Sequence, residues 1–325
     1  MLSIKRKNYN NLNLSIHQRH INKFAWSIFR LAILIGLGYV FLFPILYMIS
    51  VAFRSPESIN DPSVIWIPRS LSLRSIKETM ELMDYKNAIS KSLLISITST
   101  VCTVMSCAFV GYGFARFNFR EKKLAFMLVV LTIIVPPQMT LISSYTNFKH
   151  FSLFGIMNIA SLFTKEPVSV NLLDTPWTFI LPSMFASGLR GGLFVFIYRS
   201  FFTGMPKELE EAANIDGCGP LRTFFSVMLP LAKSSIIIVM LFSLVWHWND
   251  ITLSSMYYMN EMPLSVMLSN LKTLIGNTGT KIVSEDMVRT YMQAGCLLTI
   301  TPPLILFIIA QKQFTESIER SGIVG

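Results

Sequence analysis

Between two long apolar runs the chain reads Met205-Pro-Lys-Glu-Leu-Glu-Glu-Ala-Ala-Asn-Ile-Asp-Gly217, and nine residues later Val227-Met-Leu-Pro230. The first stretch predicts a short helix, because Pro206 suits the first helical position and the glutamates lie near the positive N-terminal end. Gly217 is the predicted stop. Since the segment is charged and its neighbours are hydrophobic, we predict that it lies outside the bilayer and is not a span.

Small and apolar side chains recur along this predicted helix at helical spacing. Leu209, Ala212 and Ala213 are three or four residues apart, with Asp216 following. Residues at this spacing share a helix face, so the pattern predicts a face over which another protein surface can approach closely. A helix this short is marginal alone, which favours a partner.

The composition is that of a membrane protein. Of 325 residues, 52% are hydrophobic and 14% charged, and the apolar residues are gathered into long runs. The net charge of +10 comes from basic residues that flank these runs. No basic module interleaved with aromatic residues is present, so we predict a lipid bilayer and not nucleic acid as the partner. The four cysteines are interpreted as reduced packing residues.

The apolar runs predict an all-α integral membrane protein with six transmembrane helices. Lys and Arg are denser in the segments assigned to the inside, so both termini are predicted to be cytoplasmic. We divide the chain into a cytoplasmic segment 1–30, a transmembrane domain 31–311 that contains the loop 204–230, and a cytoplasmic tail 312–325. The predicted spans are 31–53, 92–115, 124–148, 178–202, 234–248 and 290–311. Pro136-Pro137 lies near the centre of the third span and is predicted to kink or break it. Outside the spans we predict a helix near 72–82 and an insertion at 160–177.

Signals for catalysis are missing from the sequence. There is no G-x-x-x-x-G-K-[ST] phosphate loop and no H-E-x-x-H pair, and the four histidines are far apart in the predicted topology. We therefore predict no catalytic residue, no metal ligand and no cofactor of the chain's own. The expected role is that of a conduit and not of an enzyme.

The spacing Glu-Ala-Ala, three residues, Gly, nine residues, aliphatic-x-Leu-Pro resembles the "EAA" loop of the permease subunits of binding-protein-dependent ABC importers. The resemblance implies the type I importer permease fold, with a cytoplasmic coupling loop that docks on an ATPase subunit. Val227 stands where the family usually has Ile. The implied coupling residues are Glu211, Ala212, Ala213, Asp216, Gly217, Leu229 and Pro230.

The same resemblance implies partners and a location. They are a second permease subunit, two ATPase subunits that bind the ATP, an extracytoplasmic solute-binding protein, and the bacterial cytoplasmic membrane. Glu211 would pair with a basic ATPase residue; the alternative is a carboxylate that the helix dipole satisfies.

Three further features narrow the resemblance to the carbohydrate branch, of the maltose-transporter type. They are Gly111-Tyr-Gly-Phe-Ala-Arg-Phe117, Pro136-Pro-Gln138, and Gln311-Lys-Gln-Phe314 in the tail. The implied substrate is a sugar or oligosaccharide. The alternatives are an importer of another solute, and a membrane scaffold or receptor that recruits a cytosolic protein.

Arg190 falls about halfway along the predicted span 178–202. A guanidinium there costs on the order of 2.5–3.5 kcal/mol, so it must face protein or water. One hypothesis places Arg190 on the translocation path, where it binds sugar hydroxyls or a carboxylate. The other is a structural pair with a carboxylate or carbonyls of the partner permease. Gly191 and Gly192 are expected to leave space beside it. Trp246 and Trp248 are expected to belong to the aromatic belt, the alternative being that they stack on sugar faces.

Overall fold

A computed structural model describes residues 2–55, 70–152, 169–277 and 284–322 of the chain. Within these ranges the structure is helical and contains no strand. A 3₁₀ turn, Pro137–Thr140, and a π turn, Phe224–Met228, join some of the helices. The helices are α1 Leu2–Ala52, α2 Arg74–Leu82, α3 Tyr85–Arg116, α4 Lys122–Ile134, α5 Leu141–Lys149, α6 Trp177–Met184, α7 Gly191–Gly204, α8 Glu208–Ile215, α9 Pro220–Thr223, α10 Leu229–Leu231, α11 Lys233–Asn249, α12 Thr252–Tyr257, α13 Leu264–Asn277 and α14 Glu285–Gly322.

The chain divides into two compact units, of which the smaller comprises residues 1–76 and 285–294. Its main element is α1, a continuous helix that contains Pro44. From residue 22 onward the apolar side chains of this helix are largely exposed, as expected of a surface that faces lipid. Just after α1, the amide of Ser72 donates to the carbonyl of Phe53 at 2.9 Å and closes a short antiparallel bridge.

The larger unit, residues 77–284 and 295–325, is built around α3. This helix packs against α6, α7, α11 and α13. Its buried Cys107 and Ala108 are small, and the space they leave is filled by aromatic side chains of α7. Phe194, Tyr198 and Phe202 are each 0% exposed. The uncharged run that predicted a span therefore forms the centre of a packed core.

Among the described residues, three helices are long and apolar enough to cross a membrane: Asn22–Ala52, Tyr85–Arg116 and Glu285–Lys312. Two bent pairs of helices pass the same test together, which gives up to five spans among the described residues. One pair is bent by 101° at Pro136-Pro137, where we predicted a break. The other is bent by 79° at Ala232, because α11 begins anew after α10.

The predicted fourth span, 178–202, is not a single helix. It consists of α6 and α7 with a loop at 185–190 between them, and neither helix reaches the roughly 20 residues that a span needs. Ala186 and Arg190 adopt positive φ angles of 54° and 61°, which end the helical path. The amide of Ser187 turns back to the carbonyl of Pro182 at 2.9 Å. The apolar sequence of this stretch does not reveal the break, because apolar composition does not report backbone direction.

One further predicted helix is confirmed, and two predicted segments lie partly outside the described residues. The helix predicted near 72–82 is confirmed as α2. The first half of the predicted insertion at 160–177 lies outside the described residues, as does the end of the tail at 323–325.

Candidate functional site

The segment that carries the Glu-Ala-Ala sequence forms α8 and a tight turn. The helix begins at Glu208, so Pro206 lies before it and not in its first turn. Its stop is Gly217, whose φ of +78° is the left-handed conformation that glycine adopts without strain. The amide of Cys218 then donates to the carbonyl of Ala213 at 2.9 Å. The predicted helix and its glycine stop are both confirmed.

The two faces of α8 differ from our expectation. Ala213 is 5% exposed and packs into its own chain, so it does not offer a contact surface to a partner. The prediction that placed it on the docking face is corrected, because the helix is rotated so that Leu209, Glu210 and Ala213 point inward. The exposed residues are Glu208, Glu211, Ala212, Asn214, Ile215 and Asp216.

The exposed face of α8 combines acidic, small and apolar side chains. Glu208, Glu211, Ala212 and Ile215 follow one another at helical spacing, and Ile215 is 86% exposed. A large apolar side chain so exposed on a charged helix is what a protein contact would cover. This stripe, the α8 face, retains two of the predicted coupling residues, Glu211 and Ala212.

The remaining predicted coupling residues lie at different places. Asp216 and Gly217 are exposed at the end of α8. Leu229 is half-buried and packs against the core cluster around Tyr198 and Phe224. Pro230 is exposed beside the bend at Ala232. Leu229 therefore contributes to packing in the core, whereas the exposed residues remain available to a partner.

A buried ion pair fastens α8 to the end of α3. The Nε atom of Arg116 lies 3.5 Å from Oε2 of Glu210, and their side chains are only 6% and 18% exposed. A terminal guanidinium nitrogen of Arg116 donates to the carbonyl of Met205 at 2.8 Å. We call residues 205–232, which join α7 to α11, the connecting segment. Arg116 thus contacts both the first residue of this segment and the helix α8 within it. We call Arg116, Met205 and Glu210 the strap.

Aromatic rings support the strap one turn earlier on α3. The ring of Tyr112 packs against Phe202 at the end of α7 and against Phe224 in the π turn, with centroid distances of 5.5 and 5.1 Å. Both ends of the connecting segment therefore rest on the same end of α3.

A cavity of about 740 Å³ lies in the same unit, lined by the 185–190 loop, the Pro136-Pro137 bend, α7 and Tyr257. Arg190 is exposed and lines it, and its guanidinium lies 5.7 Å from the ring centre of Trp246. Arg190 immediately precedes α7 and is therefore not within a helix, which corrects the predicted mid-span position. The residues that line the cavity include hydroxyl groups but no carboxylate, so the charge on the cavity wall is that of Arg190.

Two expectations about the neighbours of Arg190 are wrong. Gly191 and Gly192 do not leave space, since a Cβ at Gly191 would meet the carbonyl of Ala186 and one at Gly192 would lie 2.9 Å from the carbonyl of Val129. They permit close backbone approach instead. Trp248 is not a belt residue: it is 2% exposed, and its indole N–H donates to the carbonyl of Thr299 at 3.1 Å.

A second polar cluster fastens two loops of the larger unit. The carboxylate of Asp174 accepts from the amides of Met259 and Asn260 at 2.7 and 3.0 Å and from the Asn260 side chain at 2.9 Å. The amide of Asp174 donates to the carbonyl of Tyr257 at 2.9 Å. Burial acts to raise the pKa of Asp174, but the hydrogen bonds outweigh it and lower the pKa below its usual value.

Sequence reasoning missed the strap and the Asp174 cluster. Arg116 was seen as part of a family-like stretch and Glu210 as a helix-dipole residue, and neither pattern shows that the two meet 94 positions apart. The available signal for Asp174 was only an Asp between apolar runs. Contacts between distant segments leave no local pattern in a single sequence.

Comparisons with known proteins agree with this architecture. Residues 107–320 match the family described as the binding-protein-dependent transport system inner membrane component. The arabinooligosaccharides transport system permease protein AraQ of Halalkalibacterium halodurans is 28% identical, over 89% of this chain and 93% of that protein. The polygalacturonan/rhamnogalacturonan transport system permease protein YtcP of Bacillus subtilis is 25% identical, over 87% of this chain and 92% of that one.

A solved structure shows the same fold. It is a bacterial ABC transporter involved in the import of the acidic polysaccharide alginate, with a TM-score of 0.67, 18% identity, and coverage of 89% of this chain and 96% of that one. The family match covers well over half of the sequence, and the resemblance carried by the Glu-Ala-Ala spacing points the same way. The chain therefore belongs to the inner membrane permeases of binding-protein-dependent ABC importers.

Proposed function

We propose that this permease forms half of the translocation path of an ATP-driven importer for a sugar or oligosaccharide. The carbohydrate class is supported by AraQ and YtcP, which are named as oligosaccharide and polysaccharide transport permeases and each match most of the chain. The observation that carries the coupling role is the α8 face, where Glu211, Ala212 and an 86% exposed Ile215 are presented together. The ATP is bound by partner subunits, and the chain has no ATPase site of its own.

The partners follow from this role. A second permease subunit completes the path, two ATPase subunits contact the α8 faces of the two permeases, and an extracytoplasmic binding protein delivers the solute. For α8 to meet an ATPase it lies on the cytoplasmic side, which places both termini there as well. Glu211 pairs with a basic ATPase residue, and Ala212, Asp216 and Gly217 form the neighbouring contact surface.

Arg190 contacts the solute within the cavity. Its planar guanidinium offers paired donors that match sugar hydroxyls or a carboxylate, and the aromatic ring of Trp246 beside it holds the cation by a cation–π contact. A carboxylate of the partner permease is the competing occupant, and mutation separates the two.

Purification of the complex followed by an ATPase assay tests the function. The permease should co-purify with a second permease and with an ATPase, and ATP hydrolysis in proteoliposomes should rise when binding protein and solute are added. Arabino-oligosaccharides, galacturonate oligomers and glycine betaine are the solutes to compare. Stimulation by glycine betaine alone would assign a non-sugar importer, and failure to recover any ATPase would contradict the transport role.

A further inference from the structure

α3 joins the segment that carries α8 to the loop that lines the cavity. At one end, Arg116 contacts Glu210 and the carbonyl of Met205 through the strap. Ten residues earlier on the same helix, the hydroxyl of Ser106 donates to the carbonyl of Ser183 at 2.6 Å, just before the 185–190 loop. Cys107 lies beside it, with its thiol 3.7 Å from the carbonyl of Gly191, just after that loop.

The two contacts lie on one continuous helix. At 1.5 Å per residue, ten residues of α-helix separate them by about 15 Å. One face of the helix between them is buried and packed, with Cys107 and Ala108 each 0% exposed. A helix packed in this way moves as a rigid body, since packed interiors transmit displacement and do not absorb it.

The strap is suited to transmit force because it is buried and because Arg116 contacts the connecting segment at two points, Met205 and Glu210. The Nε atom of Arg116 and Oε1 of Glu210 are buried and make no hydrogen bond with other described residues, while Glu210 also contacts the Tyr112 hydroxyl and Arg116 the carbonyl of Met205. Loss of either member of the ion pair leaves the other buried without its opposite charge. Glu210 faces inward, away from the α8 face, and therefore serves α3 and not the docking contact.

We propose that Arg116 and Glu210 are positioning residues that transmit the displacement of α8 through α3 to the 185–190 loop of the cavity. The strap holds α8 against the end of α3, and the Ser106 contact passes the movement of α3 to the loop that carries Arg190. This inference rests on the proposed function, since it assumes that an ATPase moves α8.

Chemical labelling of the cavity loop in the whole complex tests the proposal. Ser187→Cys places a thiol on an exposed, cavity-lining residue. The complex in lipid nanodiscs is labelled with N-ethylmaleimide, once without nucleotide and once with ATP and orthovanadate, and the chain without Ser187→Cys supplies the background. The ratio of the two labelling rates measures how far the ATP-driven change reaches the loop.

In the unmodified complex we expect a labelling ratio of about tenfold, which lies within the typical range for coupling between sites. Glu210→Gln and Arg116→Gln should each reduce this ratio to nearly one. ATPase association and the basal rate of ATP hydrolysis should stay within about twofold of the unmodified complex, since neither residue lies on the α8 face. The double variant should lose no more than either single one, because the two residues act as a unit. Arg116→Lys, which keeps the charge but not the fork, should give an intermediate ratio.

The other end of α3 has its own variant and matched controls. Ser106→Ala should also lower the ratio while leaving the strap intact. Thr98→Ala is its control, since the Thr98 hydroxyl bonds to the carbonyl of Leu94 in the same helix. Glu121→Gln is the control for Glu210, because Glu121 is an exposed carboxylate near the end of α3 that does not belong to the α8 face.

Three results would overturn the proposal. Equal labelling ratios in the unmodified complex and the strap variants would show that the loop does not respond through α3. Parallel loss of ATPase association and of the ratio would assign the strap a merely structural role. Independent, multiplicative losses in the double variant would show that Arg116 and Glu210 do not act together. Absence of ATPase from the unmodified complex would instead remove the proposed function, and the inference with it.

Discussion

The Asp174 cluster provides a stability prediction that can be worked out from the contacts. Asp174 has a φ of 60° and accepts hydrogen bonds from two amides and one side chain. Asp174→Ala removes the acceptor and places a residue in the left-handed region that alanine avoids. The lost hydrogen bonds and the backbone term together cost about 2–3 kcal/mol of local stability.

Two further variants separate the contributions. Asp174→Gly tolerates the positive φ but loses the acceptor, which leaves a cost of about 1–2 kcal/mol. Asp174→Asn keeps one acceptor oxygen and the tolerance for this backbone, so its cost is about 1 kcal/mol. The expected destabilisation is smallest for Asp174→Asn, larger for Asp174→Gly and largest for Asp174→Ala.

Hydrogen exchange of the reconstituted protein measures this local stability. The amides of Met259 and Asn260 should lose roughly 30- to 140-fold in protection in Asp174→Ala, the equivalent of the estimated free energy. The amide of Glu211, in α8, should keep its protection and thereby exclude global unfolding. Unchanged protection at Met259 and Asn260 would refute the reasoning.

The pH dependence of the same cluster has a definite sign. Because the folded pKa of Asp174 is lowered, the carboxylate stabilises the folded state above the unfolded value of about 3.9. That contribution is lost as the pH falls through the folded pKa. The difference between Asp174→Asn and the unmodified chain should therefore persist from pH 7 to 5 and shrink only in strong acid.

The remaining predictions concern coupling and transport. Glu211→Lys should abolish uptake at normal membrane abundance, whereas Lys207→Ala, also exposed, should transport normally; normal uptake in Glu211→Lys would remove the coupling role. Ala213→Trp should destabilise the connecting segment by about 1–3 kcal/mol through overpacking, seen as lower abundance and a lower melting temperature, whereas Ala212→Trp should weaken ATPase pull-down at normal abundance. Equal behaviour of the two alanine variants would contradict the assigned faces. Arg190→Gln should assemble and lose uptake; failure to assemble would favour a structural pair with the partner permease.

The sequence alone determined the class of the protein and the position of its coupling segment. Long uncharged runs predict spans because the bilayer core excludes charge, and the Glu-Ala-Ala helix was placed correctly because its glutamates and Gly217 are local signals. Pro136-Pro137 likewise predicted the break that the structure shows as a 101° bend. Each of these signals acts on the residues that carry it, so a single sequence reveals them.

Only the tertiary structure decided which way these elements face. Ala212 and Ala213 are identical in propensity, yet one is exposed and the other is buried, because α8 is oriented with Ala213 inward and Glu210 against Arg116. The break before Arg190 likewise depends on close backbone contacts at Gly191 and Gly192 that no local pattern reveals. Burial and pairing between distant segments depend on the shape of the whole core, and side-chain type alone does not specify that shape.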